Sequence, residues 1–195
     1  MRPQLSRGVG KQSKPSRAWA KRFHGRRCAG SRVSAMKHVH WIEPDRLAIR
    51  PGPGWKPWDL DELRAAGFAR IVSLDTKSPG VDSTAIEKRG MEHVVIALDD
   101  GPPKTRRIRA AYFAAIDRVI ALLDCDGTVP KQTLVHCYAG LDRSPTVGIC
   151  YLISRGAGPD NAIRKICEMT GGFEYKECIP TIWEWHKRRS GTGTA

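Results

Sequence analysis

Short apolar runs alternate along the chain with stretches in which apolar residues recur at helical spacing. The runs predict β-strands, two of them on either side of the turn at 43–45 and the others in the segments 70–74, 92–98 and 134–137. The helical stretches, bounded by capping residues, prolines and glycines, are 59–67, 82–89, 105–123, 145–156, 159–171 and 180–189. This alternation predicts the α/β class, with a mostly parallel central sheet and helices on both faces.

Three of these segments carry expectations about burial. The run Val94-Val95-Ile96 predicts a strand that is buried on both faces, as strands inside parallel sheets are. His38 and His40 are expected on one face of the first strand, as surface or edge histidines, because no third metal ligand is near. In the long helix that starts at Thr105, residues at helical spacing predict one stripe that faces the core: Ile108, Tyr112, Ile116, Val119 and Leu123.

The charge of the chain is concentrated at one end. The net charge is +13, and residues 1–42 hold 11 of the 33 Lys and Arg residues and no Asp or Glu. The remaining 22 basic and 20 acidic residues leave the body of the chain nearly neutral. Residues 1–36 are predicted to be a disordered basic tail, 37–189 one folded catalytic domain, and 190–195 a disordered end.

Several roles for the tail stay open beside that of a solvated extension without a function. It could bind nucleic acid or another polyanion, and it is Arg-rich and acid-free as organellar transit segments are. Met36 could also be the natural start of the protein. The chain has no apolar run of membrane length and no CxxC pair among its six cysteines, which favours a reducing, cytoplasmic setting and no membrane partner.

The chemistry of the chain is concentrated where the last strand ends. Five residues separate Cys137 from Arg143, enough for a loop whose backbone N–H groups point inward and bind an anion. The following helix adds its positive N-terminal end, and Arg143 can hold two oxygens of a phosphate. The same surroundings favour the thiolate form of Cys137. These features predict a thiolate that attacks phosphate esters; the alternative is that Cys137 is a small buried hydrophobic residue.

The residues His136-Cys137, Arg143 and Ser144 resemble the signature of the cysteine-dependent protein tyrosine phosphatases. From about Trp41 to about Lys187 the chain is similar to the small atypical dual-specificity phosphatases of that superfamily. The resemblance implies the phosphatase fold, which agrees with the α/β pattern. It also implies hydrolysis of phosphotyrosine through a phosphocysteine intermediate without a metal or another cofactor, with phosphoserine and phosphothreonine left open as substrates.

The resemblance assigns roles to individual residues. It selects Asp100, in the loop 99–103, as the general acid, whereas the alternative is that Asp99 and Asp100 are both turn residues. Ser144 is expected to hydrogen-bond the leaving thiolate, and His136 to orient the loop and help keep the neighbouring cysteine ionised. The phosphate oxygens are expected to be held by the Arg143 guanidinium and by the backbone N–H groups of Tyr138, Ala139, Gly140, Leu141, Asp142 and Arg143.

Two residues depart from the family pattern. Cys178 stands where many relatives place a Gln near the start of the last helix, and this puts the placement of the hydrolytic water in question. Asp142 lies inside the loop, where a carboxylate weakens anion binding unless it faces away, for example toward a nearby Lys or Arg. Cys150 and Cys178 could pair with Cys137 on oxidation, although a reduced, packed role is expected for both.

The loop also bears on the substrate. Tyr138 and Leu141 stand where the phosphoinositide phosphatases of the superfamily carry two Lys, which argues against highly charged inositol lipids. A phosphorylated protein or peptide is therefore the expected substrate and partner. The alternatives are an RNA 5′-phosphatase, for which the basic tail is the only support, and a non-catalytic phosphate-binding module, which has no use for a thiolate.

Overall fold

A five-stranded sheet forms the centre of the fold. The computed structural model describes residues 36–76, 78–125, 131–171 and 178–191. The strands are ordered β1-β2-β5-β3-β4, with β1 antiparallel to β2 and every other neighbouring pair parallel. The predicted mostly parallel sheet is therefore confirmed. Its strands are β1 (His40–Glu43), β2 (Leu47–Pro51), β3 (Arg70–Ser73), β4 (Glu92–Val95) and β5 (Thr133–Cys137).

Helices cover both faces of this sheet. Consecutive residues of β5 point to opposite sides, so that Leu134 packs with α1 and α2 while Val135 packs with the other four helices. Each side forms its own apolar cluster, and β5 contributes to both because it lies in the middle of the sheet. The helices are α1 (Leu60–Ala65), α2 (Ser83–Lys88), α3 (Arg106–Asp124), α4 (Arg143–Ser154), α5 (Pro159–Thr170) and α6 (Cys178–Arg189).

The ends of the helices follow from short polar residues and glycine, as predicted. The Asp59 carboxylate accepts hydrogen bonds from the backbone N–H groups of Asp61 and Glu62 at the start of α1. The Thr105 hydroxyl does the same for Ile108 at the start of α3. Gly171 ends α5 with a φ of 79°, a left-handed conformation that favours glycine.

Four details differ from the expectations. Val95 is 45% exposed, because β4 is the edge strand and has a neighbour on one side only. Ile108 is 37% exposed in the first turn of α3, although the rest of its stripe is buried. His38 has a φ of 66° and precedes β1, so it does not share a strand face with His40. Helix α6 begins at Cys178, two residues before the proline predicted to open it.

Some expectations fall outside the described residues. These are the tail at 1–35, the turn at 126–127, the segment 172–177 and the last four residues, so the predicted disorder of both ends stays a prediction. Among the helices that are described, none combines the length and the hydropathy that a membrane span requires. The part of the chain that the structure describes also contains no group of three or more His, Cys, Asp or Glu side chains that could hold a metal ion.

Candidate active site

The predicted loop connects the end of β5 to the start of α4. Cys137 is the last residue of β5 and is buried, and α4 begins at Arg143. The Gly140 N–H donates a hydrogen bond to the Cys137 Sγ at 3.3 Å, and the Ser144 Oγ lies 3.3 Å from the same sulfur. The loop therefore curls around the thiol, with the N-terminal end of a twelve-residue helix beside it.

Two glycines allow the tight packing behind this loop. Gly140 has a φ of 76°, and a Cβ at this position would stand 2.9 Å from the backbone nitrogen of Pro51. Gly52 donates its N–H to the Tyr138 carbonyl at 2.9 Å, and a Cβ there would stand 2.6 Å from the Cys137 carbonyl oxygen. The segment after β2 therefore supports the loop from behind, and side chains are excluded at both contacts.

Arg143 lies at the site between two carboxylate groups, those of Asp75 and Asp100. Its guanidinium is nearly buried, with Nη1 3.3 Å from the Asp75 Oδ2 and Nε 3.5 Å from the Asp100 Oδ1. Asp75 was not among the predicted site residues. The available signal was its position directly after the strand that ends at 74, since the carboxyl ends of parallel strands meet at one edge of a sheet.

Asp100 stands at the mouth of a small pocket. The pocket has a volume of about 110 Å³ and is lined by Asp100, Cys137, Tyr138, Ala139, Leu141, Asp142 and Arg143. The Asp100 side chain is 72% exposed, and that of Arg143 is 10% exposed. The sequence prediction thus selected residues that the fold brings together, with the carboxylate at the outside and the thiol at the floor.

His136 is buried behind the loop in a chain of hydrogen bonds. Its Nδ1 lies 3.2 Å from the Cys137 carbonyl oxygen, and its Nε2 lies 2.6 Å from the Ser73 hydroxyl. The Ser73 hydroxyl lies 2.8 Å from the His93 Nε2, and the His93 Nδ1 lies 2.7 Å from the Ser83 hydroxyl. Because a carbonyl oxygen only accepts, Nδ1 of His136 carries the proton, Nε2 accepts from Ser73, and Ser73 in turn accepts from His93.

Burial keeps the His136 ring neutral. Desolvation lowers the pKa of His136 to about 4, and the hydrogen bond to the Cys137 carbonyl only partly offsets this effect. A neutral ring lends no positive charge to the thiol, so the expectation that His136 helps to keep Cys137 ionised does not fit its surroundings. The hydrogen bonds of the ring do fit the expectation that it orients the loop.

Arg50 is a second buried cation that the sequence analysis missed. Burial lowers the pKa of Arg50 to about 10. Its guanidinium donates to the carbonyl oxygens of Lys56 and Pro57 at 3.0 and 3.2 Å and lies over the ring of Trp58, 5.3 Å from the ring centroid. The Trp58 ring in turn meets the His136 ring edge-on, with centroids 4.8 Å apart. Arg50 therefore fixes the segment that packs behind the active-site loop.

The Asp142 carboxylate takes its hydrogen bonds from a backbone N–H and a thiol, and not from the Lys or Arg that the sequence analysis gave as one possibility. Its Oδ2 accepts a hydrogen bond from the Gly101 N–H at 2.8 Å, and its Oδ1 accepts from the Cys178 Sγ at 3.1 Å. Asp142 is 3% exposed, and burial raises its pKa, against the opposing effect of these two hydrogen bonds. The carboxylate is turned away from the floor of the pocket, which was the condition set for its presence in an anion-binding loop.

The fold and this site together define a class of protein. A buried cysteine at the end of a central strand, a short loop, and an arginine at the start of the next helix form the arrangement of the cysteine-dependent phosphatases. The family model "PTP-SAK: Swiss Army Knife protein, DSP-PTPase phosphatase domain" matches residues 36–177. The chain belongs to this family and is a cysteine-dependent protein tyrosine/dual-specificity phosphatase, as the sequence resemblance implied.

The relatives include both protein and lipid phosphatases. The protein tyrosine phosphatase PRL-1 of Leishmania major is 30% identical over 145 residues, which cover 73% of this chain and 82% of the relative. The phosphatidylglycerophosphate phosphatase PTPMT1 of Arabidopsis thaliana is 30% identical over 98 residues, covering 50% of this chain and 27% of that protein. The crystal structure of Tk-PTP in its active form matches with a TM-score of 0.62 at 25% identity, over 79% of this chain and 99% of the other.

Proposed function

We propose that this phosphatase hydrolyses phosphotyrosine in proteins, with phosphoserine and phosphothreonine as poorer substrates, through a phosphocysteine intermediate. The observation that carries the proposal is the joint position of the Cys137 thiol at the floor of the pocket and the Asp100 carboxylate at its mouth. A nucleophile and a proton donor on opposite sides of a phosphate are what an in-line displacement requires. The cytoplasmic setting favoured by the sequence is part of the same proposal.

In the first step, the Cys137 thiolate attacks phosphorus and forms an S–P bond while the P–O bond to the leaving group breaks. Asp100 in its protonated form gives its proton to the leaving oxygen. The three remaining oxygens are held by the backbone N–H groups of residues 138–143 and by the Arg143 guanidinium, which Asp75 supports from the other side.

In the second step, water attacks phosphorus and the S–P bond breaks. The Asp100 carboxylate takes the proton from the water, and inorganic phosphate is released. The Ser144 hydroxyl, 3.3 Å from the sulfur, donates a hydrogen bond to the thiolate as it leaves. His136 stays outside the substrate pocket and orients the loop through the Cys137 carbonyl.

Two exposed aromatic side chains support an aryl substrate. Trp55 is 51% exposed and Tyr138 is 36% exposed, and their rings meet edge to face with centroids 5.8 Å apart. Tyr138 lines the phosphate pocket, and Gly52, which anchors the Trp55 segment, is hydrogen-bonded to the Tyr138 carbonyl. A tyrosine ring attached to the bound phosphate can pack on this pair, with each aromatic contact contributing about 0.5–1.5 kcal/mol.

The mechanism is tested by hydrolysis of para-nitrophenyl phosphate in excess EDTA. Wild-type activity that survives the chelator, disappears in Cys137→Ser and falls strongly in Asp100→Asn supports the proposal. Asp99→Asn is the matched control, since Asp99 is the exposed carboxylate next to Asp100 in the same loop. Equal losses in the two Asp variants, or no wild-type turnover at all, would overturn the mechanism, and the second result would favour a phosphate-binding module.

The substrate class is tested by comparing kcat/KM for four substrates. They are a phosphotyrosine peptide, the same peptide with phosphoserine, a 5′-triphosphorylated RNA and phosphatidylglycerophosphate, the lipid in the name of one relative. The proposal expects the phosphotyrosine peptide to be the best of the four. A preference for the RNA would support the RNA phosphatase suggested by the basic tail, and a preference for the lipid would support the activity that this relative's name states.

A further inference from the structure

The two residues that depart from the family pattern are hydrogen-bonded to each other. Asp142 lies in the active-site loop and Cys178 is the first residue of α6, and both are buried. The Cys178 thiol donates to Oδ1 of the carboxylate at 3.1 Å, while Oδ2 accepts from the Gly101 backbone at 2.8 Å. One carboxylate therefore joins three segments: the loop after β5, the start of α6 and the loop after β4.

The third of these segments carries Asp100. Gly101 follows Asp100 directly, has a φ of 72°, and has no atom of the described residues within 4 Å of the point where a Cβ would stand. The Asp100 side chain is mostly exposed, and its ion-pair contact is with Arg143, whose guanidinium is also needed for phosphate. The hydrogen bond from Gly101 to Asp142 is thus the partly buried polar contact that ties this loop to the active-site loop.

Charge around Asp142 makes its two hydrogen bonds necessary. The carboxylate is buried next to a second carboxylate, Asp100, and both effects work against its charged form, while Arg143 favours it. The nearby Tyr112 and Thr146 hydroxyls make no hydrogen bond of good geometry with the described residues, so they do not replace either donor. A buried carboxylate that loses a donor is costly, and this ties its position to those of Gly101 and Cys178.

We infer that Asp142 and Cys178 together hold the Asp100 loop at the distance over the phosphate pocket that proton transfer to the leaving group requires. Asp142 is then a positioning residue that acts through Gly101 and Asp100, and Cys178 orients Asp142. The inference rests on the general-acid role of Asp100 in the proposed function. A general acid must come within hydrogen-bond reach of the leaving oxygen, so a loop that drifts outward loses proton transfer before it loses phosphate binding.

The test uses a series of aryl phosphates whose phenol leaving groups range from strongly acidic to weakly acidic. An acidic phenol leaves without a proton, whereas unsubstituted phenol, with a pKa of about 10 as for tyrosine, needs one. For Asp142→Ala we expect kcat/KM, which reports only the first step, to fall about 10-fold or more on phenyl phosphate and less than about 3-fold on the ester of the most acidic phenol. Asp100→Asn, measured beside it, should show the same dependence more strongly.

Cys178 supplies a graded set of variants. Cys178→Ser keeps a donor to the Asp142 carboxylate and should retain most of the activity, while Cys178→Ala removes the donor and should show a weaker form of the Asp142→Ala pattern. Cys167→Ala is the matched control, because Cys167 is a half-buried cysteine on α5 and packs against the apolar core. If Asp142→Ala does not fold, Asp142→Asn keeps an oxygen acceptor for Gly101 and should give an intermediate leaving-group dependence.

The outcomes separate this inference from the proposed function. A loss in the Asp142 variants that is equal for all leaving groups would overturn the inference, because it would place Asp142 in phosphate binding. No loss would overturn it as well, and so would a loss larger than that of Asp100→Asn, which would make Asp142 the proton donor. If Asp100→Asn itself shows no leaving-group dependence, the general-acid assignment in the proposed function fails instead.

Discussion

Acidification should destabilise the fold through His136. The unfolded chain binds a proton on this imidazole at about pH 6.5, whereas burial lowers its pKa in the folded protein to about 4. Between these two values the unfolded state holds one more proton than the folded state. Stability from this group is therefore complete above about pH 6.5 and falls as the pH decreases toward 4.

The size of the effect follows from the width of this window. Between the two pKa values, the free energy of unfolding changes by about 1.36 kcal/mol for each pH unit. Lowering the pH from 7.5 to 5 crosses roughly 1.5 units of this range. His136 should thus lower the free energy of unfolding at pH 5 by about 2 kcal/mol. This is a large part of the total for a typical domain, which is about 5–15 kcal/mol. The protonated ring would also turn its Nε2 from an acceptor into a donor and reverse the hydrogen bond with Ser73.

Urea unfolding of the wild type and of His136→Asn at pH 7.5 and pH 5 measures this directly. Asn at this position can still donate to the Cys137 carbonyl but does not titrate. Between pH 7.5 and pH 5 the unfolding free energy of the variant should therefore decrease by about 2 kcal/mol less than that of the wild type. Burial also lowers the pKa of His40, and the difference between the two proteins removes its contribution, which they share. The control is His186→Asn, on α6.

An equal pH dependence in wild type and His136→Asn would refute the reasoning, because it would mean that the buried ring is protonated as easily in the folded as in the unfolded chain. A larger loss in the variant would contradict the sign of the argument. In that case the neutral state of the ring would be wrong, and so would the hydrogen-bond directions assigned through Ser73 to His93.

Two further substitutions test the packing around the pocket. Gly52→Ala places a Cβ 2.6 Å from the Cys137 carbonyl oxygen, so it should shift the loop and lower kcat/KM for para-nitrophenyl phosphate at least about 10-fold. The control is Gly158→Ala, where the nearest atom to the Cβ is 3.9 Å away, and this change should leave kcat/KM nearly unchanged. Trp55→Ala should lower the ratio of kcat/KM for phosphotyrosine over phosphoserine peptides by about 3- to 10-fold. Val95→Ala, also an exposed apolar residue, should not alter that ratio.

Local features of the site were predictable from the sequence because they are contiguous in it. Cys137, the five loop residues and Arg143 follow one another, so strand, loop and helix N-terminus could be identified from a single stretch. The α/β class followed from the alternation of elements. Asp100 lies far away in the chain, and its selection over Asp99 depended on the family resemblance, because composition and periodicity do not distinguish two adjacent carboxylates.

The residues that were missed are those whose role depends on the order of the strands. Asp75 reaches Arg143, and Ser73 reaches His136, because β3 lies directly beside β5 in the sheet. Arg50 is buried because β2 flanks β5 on the other side. The wrong expectation for Val95 has the same cause. A run of three apolar residues predicts burial, but it does not reveal that its strand lies at the edge of the sheet.

The roles of Asp142 and Cys178 were not predictable from either residue alone, because their side chains are hydrogen-bonded to each other in the fold. Each was considered alone, the aspartate as a charge that weakens anion binding and the cysteine as the loss of a glutamine near the hydrolytic water. In the fold, the thiol donates to the carboxylate, and the carboxylate holds the backbone beside Asp100. A donor and an acceptor that are 36 positions apart satisfy each other in the buried interior, where either residue alone would leave a polar group without its partner. Changing both of them should therefore lower the free energy of unfolding by less than the sum of the two single changes, which a double-mutant cycle over Asp142 and Cys178 would measure.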